Sequence, residues 1–337
     1  MKKLISISIL VFIAFGSVLA QRISPYQSGS YYPGLVNLRD LAAAPAGLIL
    51  LDYNYWFGSN GYYDKNGDEF TGGTINLPPP KDPVNVTLEP ELSGYTNVPV
   101  LFYASKFKLL GGAKYLASIS PIYMSFDYSA FLALGNSSGN ISGRSSGFGD
   151  FSFMPLGLSW SFDNKLDVAF MYTIYAPTGR YETGAEDNMG AGFWAHQLQA
   201  PVYLYALEQA TAFAVIPTLE LNGKVKDADA RPGNRFSLEY GISQYFTNWL
   251  EVEIVNGHNW QISSDTGEDV WWSDTRFDGR DSKNTFCAGI GVWPVEGILN
   301  IRAKYIMDYG VKQRFKNRFW SLSIIIIPGI LSEKNNE

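Results

Sequence analysis

Beyond residue 45 much of the chain alternates apolar and polar residues one by one. Leu166, Val168, Phe170, Tyr172 and Ile174 interleave with Asp167, Ala169, Met171, Thr173 and Tyr175. Leu250, Val252 and Ile254 oppose Glu251 and Glu253, and Leu299, Ile301, Ala303, Tyr305 and Met307 oppose Asn300, Arg302, Lys304 and Asp308. A period of two with one apolar face is the signature of a β-strand, because successive side chains point to opposite faces of a sheet. Helix signals are scarce. The pattern predicts strands over 48–57, 97–109, 114–127, 147–162, 165–176, 194–207, 210–222, 234–246, 249–260, 284–295, 298–309 and 315–327.

The connections separate two architectures that share this alternation. Tight links at Leu110–Ala113, Asp163-Asn164, Glu208-Gln209, Thr247-Asn248 and Glu296-Gly297 take turns with long ones over 58–96, 128–146, 177–193, 223–233 and 261–283, and 310–314 is intermediate. A soluble sandwich turns its apolar face inward and has no reason to sort loop length by parity. An up-and-down transmembrane barrel does, with short periplasmic turns and longer external loops. The expected fold is therefore all-β, an antiparallel barrel of about twelve strands. Leu250→Arg and Leu299→Arg should each destabilise it by about 2–4 kcal/mol if those residues meet lipid at mid-depth.

The ends of the chain set the compartment. Lys2 and Lys3, the apolar run 4–15 and Val18-Leu19-Ala20 read as a signal peptide over 1–20. Beyond it no apolar run approaches the length of a transmembrane helix, and an exported chain can still span a membrane as a closed barrel. Residues 21–45 show no period and form either a periplasmic tail or a plug. The barrel occupies 46–328 and a polar tail 329–337. The compartment read is the outer membrane of a Gram-negative bacterium.

Composition narrows the chemistry. Aromatic residues make up 15% and charged residues 17% of the chain, as expected if half of each strand faces lipid and aromatics such as Trp56, Trp194, Trp249, Trp260 and Trp320 form girdles. One Cys and two His exclude a disulfide framework and four-ligand zinc sites. A net charge of −6 argues against nucleic-acid binding. The candidate functional residues are the charges that parity turns toward the lumen: Lys106, Lys108, Asp167, Glu220, Glu239, Glu251, Glu253, Arg302 and Lys304. They form either a mixed-sign permeation path or internal ion pairs filling a narrow barrel. Asp64-x-Asn66-Gly67 echoes a calcium loop, but its Gly comes too early and Ile75 stands where a Glu is needed, so it reads as a polar turn. Gly147-x-Gly149 and Gly289-x-Gly291 lack the following helix of a nucleotide loop. His258 with Ser263 or Ser264 offers only weak grounds for a hydrolase, and Cys287 reads as a wall residue. No enzyme activity, metal or cofactor is expected.

Four stretches carry a resemblance: Tyr32-Pro33-Gly34-Leu35-Val36-Asn37-Leu38-Arg39-Asp40, Asp64-Lys65-Asn66-Gly67, Gly147-Phe148-Gly149-Asp150 and Tyr175-Ala176-Pro177-Thr178-Gly179-Arg180-Tyr181. Together they resemble the outer-membrane family named for the MetA pathway of phenol degradation. Such a resemblance implies a transporter-like barrel that passes small hydrophobic or aromatic molecules, with outer-membrane lipid as its surroundings. It supplies no catalytic residues. Two other classes stay open: a surface structural or adhesive barrel acting through 58–96 and 261–283, and an outer-membrane lipid hydrolase.

Overall fold

The computed structural model describes residues 29–75, 84–134, 137–183, 185, 187–268 and 280–328. The expected signal peptide and polar tail lie outside them. Among the described residues, twelve long strands pair antiparallel around a closed ring. They are β1 Gly47–Tyr63, β2 Val84–Leu109, β3 in two pieces, Ala113–Ser120 and Tyr123–Leu134, and β4 in two pieces, Ser137–Phe148 and Phe151–Phe162. Next come β5 Leu166–Ala176, β6 in two pieces, Ala195–Gln199 and Val202–Ala206, β7 Thr211–Asn222 and β8 Arg235–Thr247. The ring ends with β9 Leu250–Gln261, β10 Ser282–Val295, β11 Leu299–Lys312 and β12 Arg314–Ile326. Closure runs through β1 and β12, with Leu50 opposite Ile326 and Trp56 opposite Trp320. Every predicted strand is present. The breaks inside β3, β4 and β6 fall at Pro121, at Gly149-Asp150 and at Ala200-Pro201, and a proline cannot donate to a ladder.

The tight turns stand where expected. Asp163, Asn164, Leu207, Glu208, Gly111, Gly112 and Gly297 all take positive φ, as tight connections require. The opposite end differs from the expectation. Much of 58–96 and 128–146 is strand: β3 and β4 continue past the predicted loop, paired from Tyr123 opposite Phe148 to Leu134 opposite Ser137. The sequence of that β4 piece, SSGNISGRSSGF, lacks an apolar face, so alternation does not reveal it. The 310–314 connection shrinks to Gln313 alone, at φ 52°.

The two wall faces are chemically opposite. On β9 the outward Ile254 is 49% exposed while Glu251 and Glu253 are 0% and 1% exposed. On β12, Trp320 is 64% exposed between buried Phe319 and Ser321. Trp56, Trp194, Trp249 and Trp260 are also among the exposed large side chains, as a girdle demands, whereas Phe57 turns inward against Phe319 at 5.8 Å. Leu250 and Leu299 begin their strands beside the turns; they are not at mid-depth. Ile290, 51% exposed and registered with Val252 and Ala303, is the better probe. Ile290→Arg should cost about 2–4 kcal/mol and Leu299→Arg about 0–1 kcal/mol, because the penalty falls toward the interfaces. Urea unfolding in lipid vesicles checks this; equal penalties would overturn the assigned depth.

Candidate functional site

The inward wall is lined with charge, and residues 29–46 meet it. This segment makes few backbone ladders of its own. Its amides and carbonyls bond instead to side chains of the wall, as buried backbone groups must find some partner. The amides of Ser30 and Tyr31 donate to Glu220 Oε2 at 2.6 and 3.1 Å. Glu239 Oε2 accepts from Tyr31 Oη at 2.9 Å and from the Gly34 amide at 2.7 Å. The Leu38 amide donates to Glu253 at 3.0 Å. Lys304 Nζ reaches the carbonyls of Gly34, Leu35 and Val36 at 2.6–3.0 Å. Nearer the short turns, Arg39 donates to Ser243 Oγ and to the carbonyls of Gln209 and Ala210, and Lys114 Nζ bonds the Ala44 carbonyl at 2.8 Å. The segment thus runs from the loop end of β7 to the turn end of the barrel.

Packing agrees with this path. Leu38 is 0% exposed, and the Tyr203 and Tyr55 hydroxyls donate to the carbonyls of Leu38 and Leu35. A Cβ at Gly257 would fall 2.3 Å from Pro33 Cβ, so β9 needs a glycine where the segment passes.

The charges sort into two layers. In the lower one Arg302 bonds Glu251 and lies 3.6 Å from Asp40 and 4.0 Å from Glu253, Lys304 sits 3.5 Å from Glu253, and Arg39 sits 3.2 Å from Glu251. In the upper one Arg235 and Arg314 share Asp281, and Lys283 meets Asp308 at 3.0 Å, which also accepts from Tyr32 Oη at 2.5 Å.

Seven of the nine candidates, Asp167, Glu220, Glu239, Glu251, Glu253, Arg302 and Lys304, are buried on this inner face. Lys106 and Lys108 are exposed. Lys106 lies within a register shift between Ala104 and Lys108, and Lys108 stands opposite Lys114 at the turn end, outside the buried layers. Sequence reasoning missed Arg39, Asp40, Arg235, Asp281, Lys283, Asp308 and Arg314. Asp308 and Arg235 were available from the same parity; Lys283 falls one residue before its predicted strand, and Arg39, Asp40 and Asp281 lie outside strands, where parity has nothing to say.

The histidines bond to neighbours on the wall. His196 Nδ1 lies 2.8 Å from Tyr172 Oη, and His258 contacts Asn284 Oδ1 at 2.5 Å and Tyr240 Oη at 3.2 Å. Ser263 Oγ accepts from the Asn234 amide at 2.8 Å. Asp64 Oδ1 accepts from the amides of Asn66, Gly67 and Asp68 at 2.8–3.0 Å, a polar turn closed on itself.

A family model described as "Putative MetA-pathway of phenol degradation" matches residues 59–324. The chain belongs to that family. Among solved structures, an outer membrane channel from Pseudomonas putida F1 aligns over 86% of this chain and 99% of its own with a TM-score of 0.61 at 15% identity. The translocator domain of the autotransporter NalP from Neisseria meningitidis aligns over 85% and 90%, with a TM-score of 0.46 and 13% identity. A FadL homologue from Pseudomonas aeruginosa aligns over 91% and 97%, with a TM-score of 0.40 and 13% identity. No curated protein matches the sequence. The first of these alignments, with the closed ring, shows the fold of an outer-membrane channel barrel. In this phenol-degradation family member, residues 29–46 precede the matched span. Two of its resemblance stretches meet in space: Asp150 accepts from the Gly179 amide at 3.0 Å and the Ala191 amide at 2.8 Å, pinning the 177–194 connection onto the break in β4. Burial there raises the Asp150 carboxyl above the usual carboxylate range, against the lowering pull of these amides.

Proposed function

We propose that the protein is an outer-membrane channel for small aromatic or apolar molecules, closed at rest by residues 29–46. The observation that carries this reading is how the segment is held. Its apolar and phenolic side chains, Leu38, Tyr31 and Tyr32, occupy an interior rich in tyrosines, yet hydrogen bonds and ion pairs to wall side chains, not strand ladders, fasten it. Such bonds contribute about 0.5–1.5 kcal/mol each, somewhat more when charged, so the segment can be exchanged for another ligand of similar chemistry. Displacement would uncover Glu220, Glu239, Glu253 and Lys304 beside the aromatic lining. Arg302 and Arg314 already hold guanidinium nitrogens hydrogen-bonded to no protein atom. Mixed signs along the path fit passage of neutral solutes better than strong ion selectivity. The solved channel from Pseudomonas putida F1 supports the reading at the level of fold.

Liposome swelling with the full mature chain tests it. Phenol-sized aromatic solutes are expected to enter faster than sugars of similar size. Entry of no solute class, with the barrel folded, would overturn the proposal.

A further inference from the structure

The basic residues inside this barrel, Arg39, Arg235, Lys283, Arg302, Lys304 and Arg314, all meet a carboxylate, so an unpaired cation on its outer wall calls for an explanation. Arg318 lies on β12 between the buried Asn317 and the inward Phe319, and its side chain is exposed on the lipid side. It registers with Gly58 of β1 and Met307 of β11, neither of which offers charge. Among the described residues it has no carboxylate partner. One pleat nearer the loop end, Lys316 Nζ stands 5.6 Å from the centre of the Tyr63 ring. One pleat nearer the turn end lies an aromatic shelf: Trp320 is 64% exposed, 4.8 Å from Tyr305 and directly opposite Trp56.

Two cations above an exposed aromatic shelf describe an amphiphile in negative. A guanidinium facing hydrocarbon is strongly disfavoured toward the membrane centre and tolerated near the interface. Its planar fork matches a phosphate in bidentate fashion, and the neighbouring ammonium adds a point charge. The rings below suit the start of acyl chains, as interfacial aromatics do. The long connections place this end of the barrel in the outer leaflet, where the anionic lipid is a phosphorylated, multiply acylated glycolipid. We infer that Arg318 and Lys316 bind the phosphate of such an outer-leaflet glycolipid, with its acyl chains against Trp320. Gly58 leaves the headgroup room beside β1.

Native mass spectrometry of the full mature chain, released from detergent in the presence of bisphosphorylated lipid A, tests this. The wild type should retain lipid A, and an R318Q/K316Q variant should bind at least tenfold more weakly. R318Q alone should fall between them, and K165Q, at a turn on the opposite end, should match the wild type. Dephosphorylated lipid A should bind the wild type no better than lipid A binds the double variant. Heat-modifiable gel mobility confirms that each variant is folded. Equal retention by wild type and double variant would overturn the site. Equally strong capture of phosphatidylglycerol would overturn the assignment to a glycolipid.

Discussion

Replacing Arg302 with methionine is expected to destabilise the barrel by about 3–5 kcal/mol, the range found when one member of a buried ion group is removed. The Arg302 side chain is 2% exposed. It bonds Glu251, and Asp40 and Glu253 approach within 3.6 and 4.0 Å. Methionine keeps most of the volume and none of the charge, so Asp40 would lose its cation, and Glu251 and Glu253 would keep only Arg39 and Lys304. Packing loss is small by comparison, because a volume-conserving change in a core costs less than about 1.5 kcal/mol. The electrostatic origin can be isolated. Arg302→Met combined with Glu251→Gln removes one cation and one anion and should recover a large part of the loss. The amide introduced by the second change can still accept from Ser243, which bonds Glu251 in the wild type. Urea unfolding midpoints in lipid vesicles supply the measurement. A loss below about 1 kcal/mol for the single variant would mean that these charges are as well solvated as surface pairs, and that the lumen is wet at the level of Arg302.

That network also shows where sequence reasoning reaches and where it stops. The twelve strands were legible because each wall residue has two unlike surroundings, lipid and lumen, which imprint a period of two. The turns were legible because tight connections demand positive φ and draw Asp-Asn, Glu-Gln and Glu-Gly pairs. Past the membrane both faces of β3 and β4 meet similar surroundings, so the Ser- and Gly-rich piece Ser137–Phe148 carries no period and reads as a loop. The same parity found Glu239, Glu253 and Lys304 but mishandled Lys106 and Lys108, since a register shift before Lys108 and the end of the buried lumen intervene. The wall contacts of residues 29–46 were invisible for a different reason. Their backbone partners are carboxylates, an ammonium and hydroxyls on distant strands, such as Glu220 some 190 positions away from Ser30, and no local period encodes a segment held from outside itself. The bond from the Gly34 amide to Glu239, some 205 positions away, is information of this kind.

A Gly34→Cys variant is expected to place permeation under redox control. Gly34 has φ 84°, and a Cβ built there would lie 3.2 Å from the Cβ of Cys287 on β10. Disulfides span about 3.5–4.5 Å between Cβ atoms, so a shift of a few tenths of an ångström suffices. Cys287 is the only cysteine in the chain, which leaves the new thiol a single intramolecular partner. A side chain at this left-handed φ costs roughly 1–2 kcal/mol, a strain that a Gly34→Ala variant reproduces without the thiol. Oxidised, the variant would tie residues 29–46 covalently to the wall, and aromatic solute entry in liposome swelling should fall to the level of protein-free vesicles. Reduced, it should return to the level of the Gly34→Ala control. The comparison turns on the segment alone, because lumen charges, wall and loops are the same in both redox states. If the oxidised and reduced forms pass aromatic solutes equally, then solutes cross without moving residues 29–46, and the closure assigned to them is wrong even though the barrel conducts.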